Sequence, residues 1–442
     1  MLTPEQNERL TRVGPGTPMG NLMRRYWHLA AATAQLEANP ISPVKLLGES
    51  LVLYRDKQGR LGLLAEACAH RGASLACGIV ENEGLRCSYH RWLYDAGGRC
   101  LEQPLEPGGG GPNDQTTTVA YPVQELAGLI FAYLGPRPVP LLPRYDMLAW
   151  NDVARETDGS MISCNWLQVM ENLLDPMHVE CLHGRYFAYV LERKGGDQLQ
   201  EFLAHYAPAP MKKIGFDLFE RGIIERHVVR TEEDYSWKNG TPTFFPTTSL
   251  VGSSEKSGSV IFVVPIDDTH TWFVQHLARR PGTPIPPEEL NRFCDVPGID
   301  STGKFITDTA NGQDNMAVVT QGGIARRDVE RLGMSDLGIV LYRELLIGQM
   351  ERFERGHDPM NVYRNPAENR AIEAPMPKKI PERAAVPSAR QRKRLRHIQG
   401  EMVRQSFRQG VEPAPAGDRL GRGPPLDRLA LTTGHHEVVM RP

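Results

Sequence analysis

The sequence predicts an α+β protein: a small N-terminal β domain followed by a larger domain in which strands are embraced by helices. Three observations predict it. Short strand-like runs separated by turn signals fill the chain from Tyr26 to about Tyr133. A proline-rich stretch, PRPVPLLPRY at residues 136 to 145, then interrupts any regular element. Beyond it, helical segments flank longer alternating runs. A chain of 442 residues is too long for one ordinary core, so at least two packed units are expected.

The elements follow in order. Residues 3 to 12 read as a short helix capped by Thr3, with Pro4 at its first position and Glu5 and Glu8 near its start. GPGTPMG ends it and completes a lead-in of residues 1–25. The β domain, residues 26–135, takes its strands from LLGESLVLYRD, GRLGLLAEACAH, GLRCSYHRWLYD and AGLIFAYLGP. The second domain, residues 136–375, opens with a helical segment from Asn165 to Leu182. It continues through the strand-like FDLFERGIIERHVVR, SGSVIFVVPID and HTWFVQHLAR, then ends on helices near Lys304 to Val319 and Leu337 to Arg355. Residues 376–442 turn to Pro, Arg, Gly and Ala. They read as a basic, proline-rich tail with a single helix near residues 388 to 408.

Composition excludes several classes of function. Hydrophobic residues make up 40% and charged residues 24%, and the formal net charge is only -2, so no global field points to nucleic acid or an anionic membrane. The basic run ARQRKRLRH reads as a solvated face. The N-terminus lacks the pattern of a secretory signal, and no apolar run approaches the ~18 to 20 residues that span a bilayer. A cytoplasmic protein is expected, in which the seven cysteines serve as ligands or core residues and not as disulfides.

Two constellations carry chemistry. Cys68 and His70 form a CxH pair, and Cys87 and His90 a CxxH pair, each where a strand gives way to a loop. A Rieske 2Fe-2S centre binds one iron through two cysteines and the other through two histidines, so two loops that each offer one of each match its needs. A Cys2His2 zinc site is the competing reading, although zinc fingers usually group CxxC and HxxxH separately. Cys77, Cys100, Cys164, Cys181 and Cys294 have no partner at ligand spacing and read as small core residues.

The second constellation lies in NWLQVMENLLDPMHVECLHG, residues 165 to 184. Trp166, Val169, Met170, Leu173 and Met177 form an apolar face at helical spacing, and Glu171, Asn172, Asp175, His178 and His183 are set into the same segment. Polar groups in such a helix need partners. A mononuclear Fe(II) site needs two imidazoles and a carboxylate on one face of the metal. His178 and His183 supply the imidazoles only if the helix is distorted between them, because five residues of straight helix turn through about 500°. Pro176 is a candidate origin of that distortion. Two satisfied core histidines remain the alternative.

CAHRGASL and CSYHRWLYD resemble the cluster loops of Rieske aromatic ring-hydroxylating oxygenases, and ENLLDPMHVECLH resembles the iron-binding helix of the same family. The likeness is to the phthalate dioxygenase branch, with VGPGTPMGNLMRRYW and QGGIARRDVERLGMSDLGIV as flanking motifs. Two residues depart from the pattern, Ala69 for a common proline and Arg91 for a common glycine. The resemblance implies a Rieske all-β domain, a helix-grip (START-like) catalytic domain with a curved antiparallel sheet, and a trimer or hexamer. It also implies a mononuclear Fe(II) held by His178, His183 and a carboxylate from NGQDNMAVV, with Asp314 favoured over Asp308. Asp175 becomes a bridge, hydrogen-bonded to His178 and to His90 of a neighbouring copy, and Asn172 approaches the iron. An NAD(P)H-dependent flavin/iron-sulfur reductase is the implied electron source, and O2 with an aromatic molecule the implied substrates. Aromatic carboxylates and methoxylated lignin fragments are both within the branch, and a non-catalytic electron carrier is the rival class. For a substrate carboxylate, Arg221, Arg226, Arg230 and Lys238 are the cations in the strand-rich region.

Overall fold

The computed structural model describes residues 2–104, 106, 116–151, 153–205, 211, 213–230, 235–251, 256–280, 291–373 and 436–439. The first helix runs Pro4–Thr11. Thr3 and Gln6 satisfy each other's backbone groups in a capping box, with proline at the first turn. Sequence gave no sign of the next element, Pro18–Met23, which Thr17 caps.

Three small antiparallel sheets follow. Trp27–Ala32, Leu129–Tyr133 and Val123–Leu126 make one, and Ile41–Leu46, Glu49–Arg55 and Leu61–Ala65 a second. The third joins Ile79–Val80, Leu85–Arg86, Leu93–Tyr94 and Cys100–Glu102. A separate small core of Val52, Tyr54, Leu64, Leu75, Leu85, Tyr94 and Cys100 encloses the thiols of Cys68 and Cys87. The proline-rich stretch is not a free tether, because Leu141 pairs with Tyr363 and Leu142 is buried.

The second unit is organised by a nine-stranded sheet. Its order is Asn291–Asp295, Ala154–Ile162, Thr271–Arg279, Ser257–Pro265, Thr248–Val251, Tyr235–Phe244, Gly222–Arg230, Lys213–Phe219 and His436–Val439. Every pairing is antiparallel except the first, which is parallel. The long helix Leu337–Glu354 lies against this sheet, giving the helix-grip arrangement. A Cβ on Gly338 would fall 2.4 Å from the Phe216 ring, so the close approach of helix and sheet requires glycine there. Tyr342 anchors the same helix by donating to the Pro246 carbonyl over 2.7 Å.

The lead-in segment packs on this second unit. Arg9 pairs with Glu354, Arg12 with Asp268, and Asn7 donates to the Ala325 carbonyl. The late helix expected from Lys304 begins only at Ala310, where Thr309 caps it; Ile299 and Phe305 pair across the preceding turn. All seven cysteines are free thiols. The core expectation is corrected for three of them, since Cys77 and Cys181 are exposed and Cys294 is half-buried. The tail of residues 376–442, with its expected helix and basic run, lies outside the described residues apart from His436–Val439. No helix among the described residues is long and apolar enough to cross a membrane.

Candidate cluster and mononuclear metal sites

The two cluster loops share one backbone pattern. In the first, the Cys68 amide donates to the Ala73 carbonyl (2.9 Å) and the Gly72 amide to the Cys68 carbonyl (2.8 Å). In the second, the Cys87 amide donates to Trp92 (2.8 Å) and the Arg91 amide to Cys87 (3.1 Å). Each thiol therefore sits at the mouth of an identical tight turn. Both turns need a left-handed residue at the same place: Gly72 has φ +73° and Arg91 has φ +65°. For arginine that conformation costs about 1 to 2 kcal/mol, which glycine avoids.

The four candidate cluster ligands meet between these turns. Cys68 and Cys87 are buried, and the His70 and His90 rings face each other edge-on with centroids 4.5 Å apart. Trp92 stacks flat on His70 at 4.6 Å. Burial pushes the Cys68 thiol above its ordinary pKa, opposed by a 3.2 Å contact with the Tyr94 hydroxyl. Nδ1 of His70 is buried and has no hydrogen-bond partner. An orphaned imidazole nitrogen beside two buried thiols fits a metal cluster, which takes deprotonated sulfur and a neutral nitrogen lone pair.

The second site is built on a helical segment that breaks once and is widened once. Trp166–Leu173 is capped by the fully buried Asn165 and stops at Leu174. Asp175 caps a new helix, Pro176–Glu180, with Pro176 at its first turn, and a π-helical stretch, Cys181–Tyr186, continues into Phe187–Lys194. The wider π turn brings residues five apart toward a common face, supplying the distortion that His178 and His183 require. Their rings lie 5.1 Å apart.

Asp314, on the helix Ala310–Val319, points its carboxylate between them. Its Oδ1 is 3.2 Å from Nε2 of His183 and 3.7 Å from Nε2 of His178. The three donor atoms lie within 4.8 Å of one another. Each ring is oriented through its other nitrogen. Nδ1 of His178 bonds the main-chain carbonyl of Asp175, and Nδ1 of His183 donates to Oε1 of Gln313 over 2.9 Å. Gln313 is wholly buried and is itself fixed by donating to the Thr307 carbonyl. The Nε2 atoms of both rings are thereby turned toward the Asp314 carboxylate. Burial disfavours a charged His183 ring, yet Asp314 and Gln313 outweigh it and raise the pKa. A cation held by the same carboxylate would compete for that proton's place. Two imidazoles and one carboxylate fit iron(II) with open positions.

The remaining predicted residues fall as follows. Asn172 donates to Oδ1 of Asp314 over 2.9 Å. Asp308 is turned away, in an ion pair with Lys194. The carboxylate of Asp175 accepts from the Met177 amide (2.8 Å) as a helix cap, so within one chain its main-chain carbonyl, not its side chain, holds His178. Burial raises the Asp175 pKa, with His178 opposing. A mainly apolar cleft lies beside Asn172 and Asp314, walled by Ile162, Val169, Leu173, Phe273 and Val318. Of the expected cations, Arg221 and Arg226 are not among its described lining residues. Arg226 pairs with Asp217 at 2.6 Å, while the Arg230 and Lys238 side chains lie outside the described residues.

Gln168, and the partners of Glu171, which sequence reasoning missed, hold this helix in place. Gln168, nearly fully buried, donates to the carbonyls of Val318 and Gly322 and accepts from the Ala325 amide. Glu171 is clasped by Arg327 and Arg343, and Arg343 also pairs with Glu330. Burial alone would raise the Glu171 pKa; the two guanidinium groups override it and hold it below the usual value. Removing one member of such a buried pair costs about 3 to 5 kcal/mol. A buried glutamate in an apolar helix was the available signal that a cation must meet it.

Fold and donor sets together define the class, a protein pairing a Cys2His2 iron-sulfur centre with a separate two-histidine, one-carboxylate metal site. The Rieske [2Fe-2S] domain model matches residues 26–120. Over 384 residues the chain is 38% identical to the 5,5'-dehydrodivanillate O-demethylase oxygenase subunit of Sphingobium sp., covering 85% of this chain and 87% of that one. It is 32% identical to the phthalate 4,5-dioxygenase oxygenase subunit of Pseudomonas putida, covering 82% and 89%. Among solved structures, NdmA of Pseudomonas putida CBB5 shares the fold at a TM-score of 0.56 and 21% identity, over 76% of this chain and 94% of that one. The chain belongs to the Rieske non-haem iron oxygenases, as the terminal oxygenase component of a multicomponent system supplied by a reductase. It is an oxidoreductase that uses a 2Fe-2S cluster and a mononuclear iron.

Proposed function

We propose that Cys68, His70, Cys87 and His90 hold the 2Fe-2S cluster, that His178, His183 and Asp314 hold mononuclear Fe(II), and that the chain hydroxylates an aromatic carboxylate with O2. The observation that carries this reading is the convergence of His178, His183 and Asp314 beside a mainly apolar cavity. The cluster supplies single electrons and the iron activates O2. The protein's part is to orient both imidazoles through Asp175 and Gln313, to poise Asn172 against the Asp314 carboxylate, and to enclose the ring between Phe273 and the aliphatic side chains. An NAD(P)H-dependent flavin/iron-sulfur reductase is the electron source. The assembly is a homo-oligomer, a trimer or hexamer, in which the Asp175 carboxylate meets His90 of a neighbouring subunit.

O-demethylation is the second reading. It is favoured by the 38% identity to an O-demethylase subunit and by a cavity with no described cation to receive a carboxylate. Hydroxylation of a methoxy carbon releases formaldehyde and leaves a phenol. The test is product analysis on phthalates, benzoates and methoxybenzoates with a surrogate reductase. A dihydrodiol or ring phenol from a carboxylate without methoxy groups supports the first reading, and formaldehyde with the matching phenol supports the second. Absence of about three irons per chain, two in the cluster and one mononuclear, would overturn both.

A further inference from the structure

The two cluster turns share one hydrogen-bond pattern, and their equivalent left-handed positions are held differently. In the first turn Gly72 (φ +73°) adopts the conformation freely, whereas the second places Arg91 there (φ +65°). Nothing comparable to the apparatus behind Arg91 is needed at Gly72. The carbonyl of Arg91 accepts a 2.7 Å bond from Nη1 of Arg86, the residue immediately before Cys87. Arg86 is only 5% exposed and is held by two carboxylates: Nη2 binds Glu81 at 2.8 Å and Glu102 at 2.7 Å. Its guanidinium thus closes a ring of contacts from one side of the turn to the other. Bidentate, charge-assisted bonds of this kind fix geometry as well as charge, which a lysine cannot reproduce.

We infer that Arg86 is a positioning residue for the cluster: it locks the second turn in the left-handed conformation that Arg91 disfavours, and so sets the placement of His90 and of Trp92 on His70. A glycine at 91 would make the lock dispensable. The inference rests on the ligand assignment of Cys87 and His90, which Cys87→Ser tests separately; if that variant keeps a normal Rieske spectrum, the ligand reading fails, whatever Arg86 does.

The experiment is a double-mutant cycle of Arg86→Lys and Arg91→Gly in the full chain, read by the rate of cluster loss to a chelator and by the pH dependence of the cluster's reduction potential. Arg86→Lys should speed cluster loss about tenfold and displace the potential profile. In the Arg91→Gly background the same substitution should change the rate less than about threefold, with the profile returned to that of the parent. Equal fold-changes in both backgrounds, or an unmoved profile, would overturn the inference. Should Arg86→Lys fail to fold, Glu102→Gln replaces it, because that carboxylate is half exposed and removes one anchor alone. It should speed cluster loss about threefold, and Arg91→Gly should suppress the effect; no suppression counts against the lock.

Discussion

The two metal-binding regions are built on opposite plans. The proposed cluster ligands lie within residues 68–90, on two turns closed by their own backbone hydrogen bonds. The proposed mononuclear site joins His178 and His183 to Asp314, which lies more than a hundred residues later. It depends on helices that other parts of the chain hold in register, through Gln168, Glu171, Arg327 and Arg343. A site closed locally tolerates change elsewhere, whereas one assembled from distant elements inherits every weakness in their packing.

The sharpest way to separate the plans is His178→Ala. It should abolish turnover and remove the mononuclear iron while leaving cluster absorbance intact, lowering total iron from about three to about two per chain. An unchanged iron count would place the site elsewhere.

Asp175→Asn probes the proposed link between the two regions. Asparagine also caps helices well, so the Pro176–Glu180 helix and the main-chain bond to His178 should survive. Turnover is nonetheless expected to fall about 100-fold, with a cluster that reduces normally but passes its electron slowly in single-turnover measurements. Normal single-turnover rates would refute the bridge.

Gln313→Ala should have a smaller effect. With its oriented hydrogen bond gone, His183 is free to turn, and iron affinity should weaken about 10- to 100-fold in a competition titration. Excess iron should restore much of the turnover, and the cluster signal should not move. A cluster altered by this change would mean that the two regions are coupled within one chain.

Legibility in the sequence followed the same division. The capped first helix, about half of the strands and the long helix Leu337–Glu354 were readable, because capping residues and hydrophobic periods act over a few positions. The parallel pairing of Asn291–Asp295 with Ala154–Ile162 was not, because nothing local specifies a partner so far away. Asn172 was readable as a polar intrusion, but its bond to Asp314 was not. Gln313 stood beside the favoured aspartate and drew no notice, since a glutamine in a helix carries no signal until its burial is known. Arg226 illustrates the reverse: it had the right charge in the right region, and an ion pair with Asp217 occupies it.

By itself the sequence determined that two cysteines and two histidines alternate over two short turns, and that two histidines lie five residues apart in one helical segment just after Pro176. Chain connectivity alone brings such groups near one another. Only the tertiary structure decided how the histidine rings turn, which carboxylate meets them, and that Arg91 is held in a left-handed conformation by Arg86. Those outcomes depend on which distant surfaces pack together and on which buried polar groups must find partners once water is excluded.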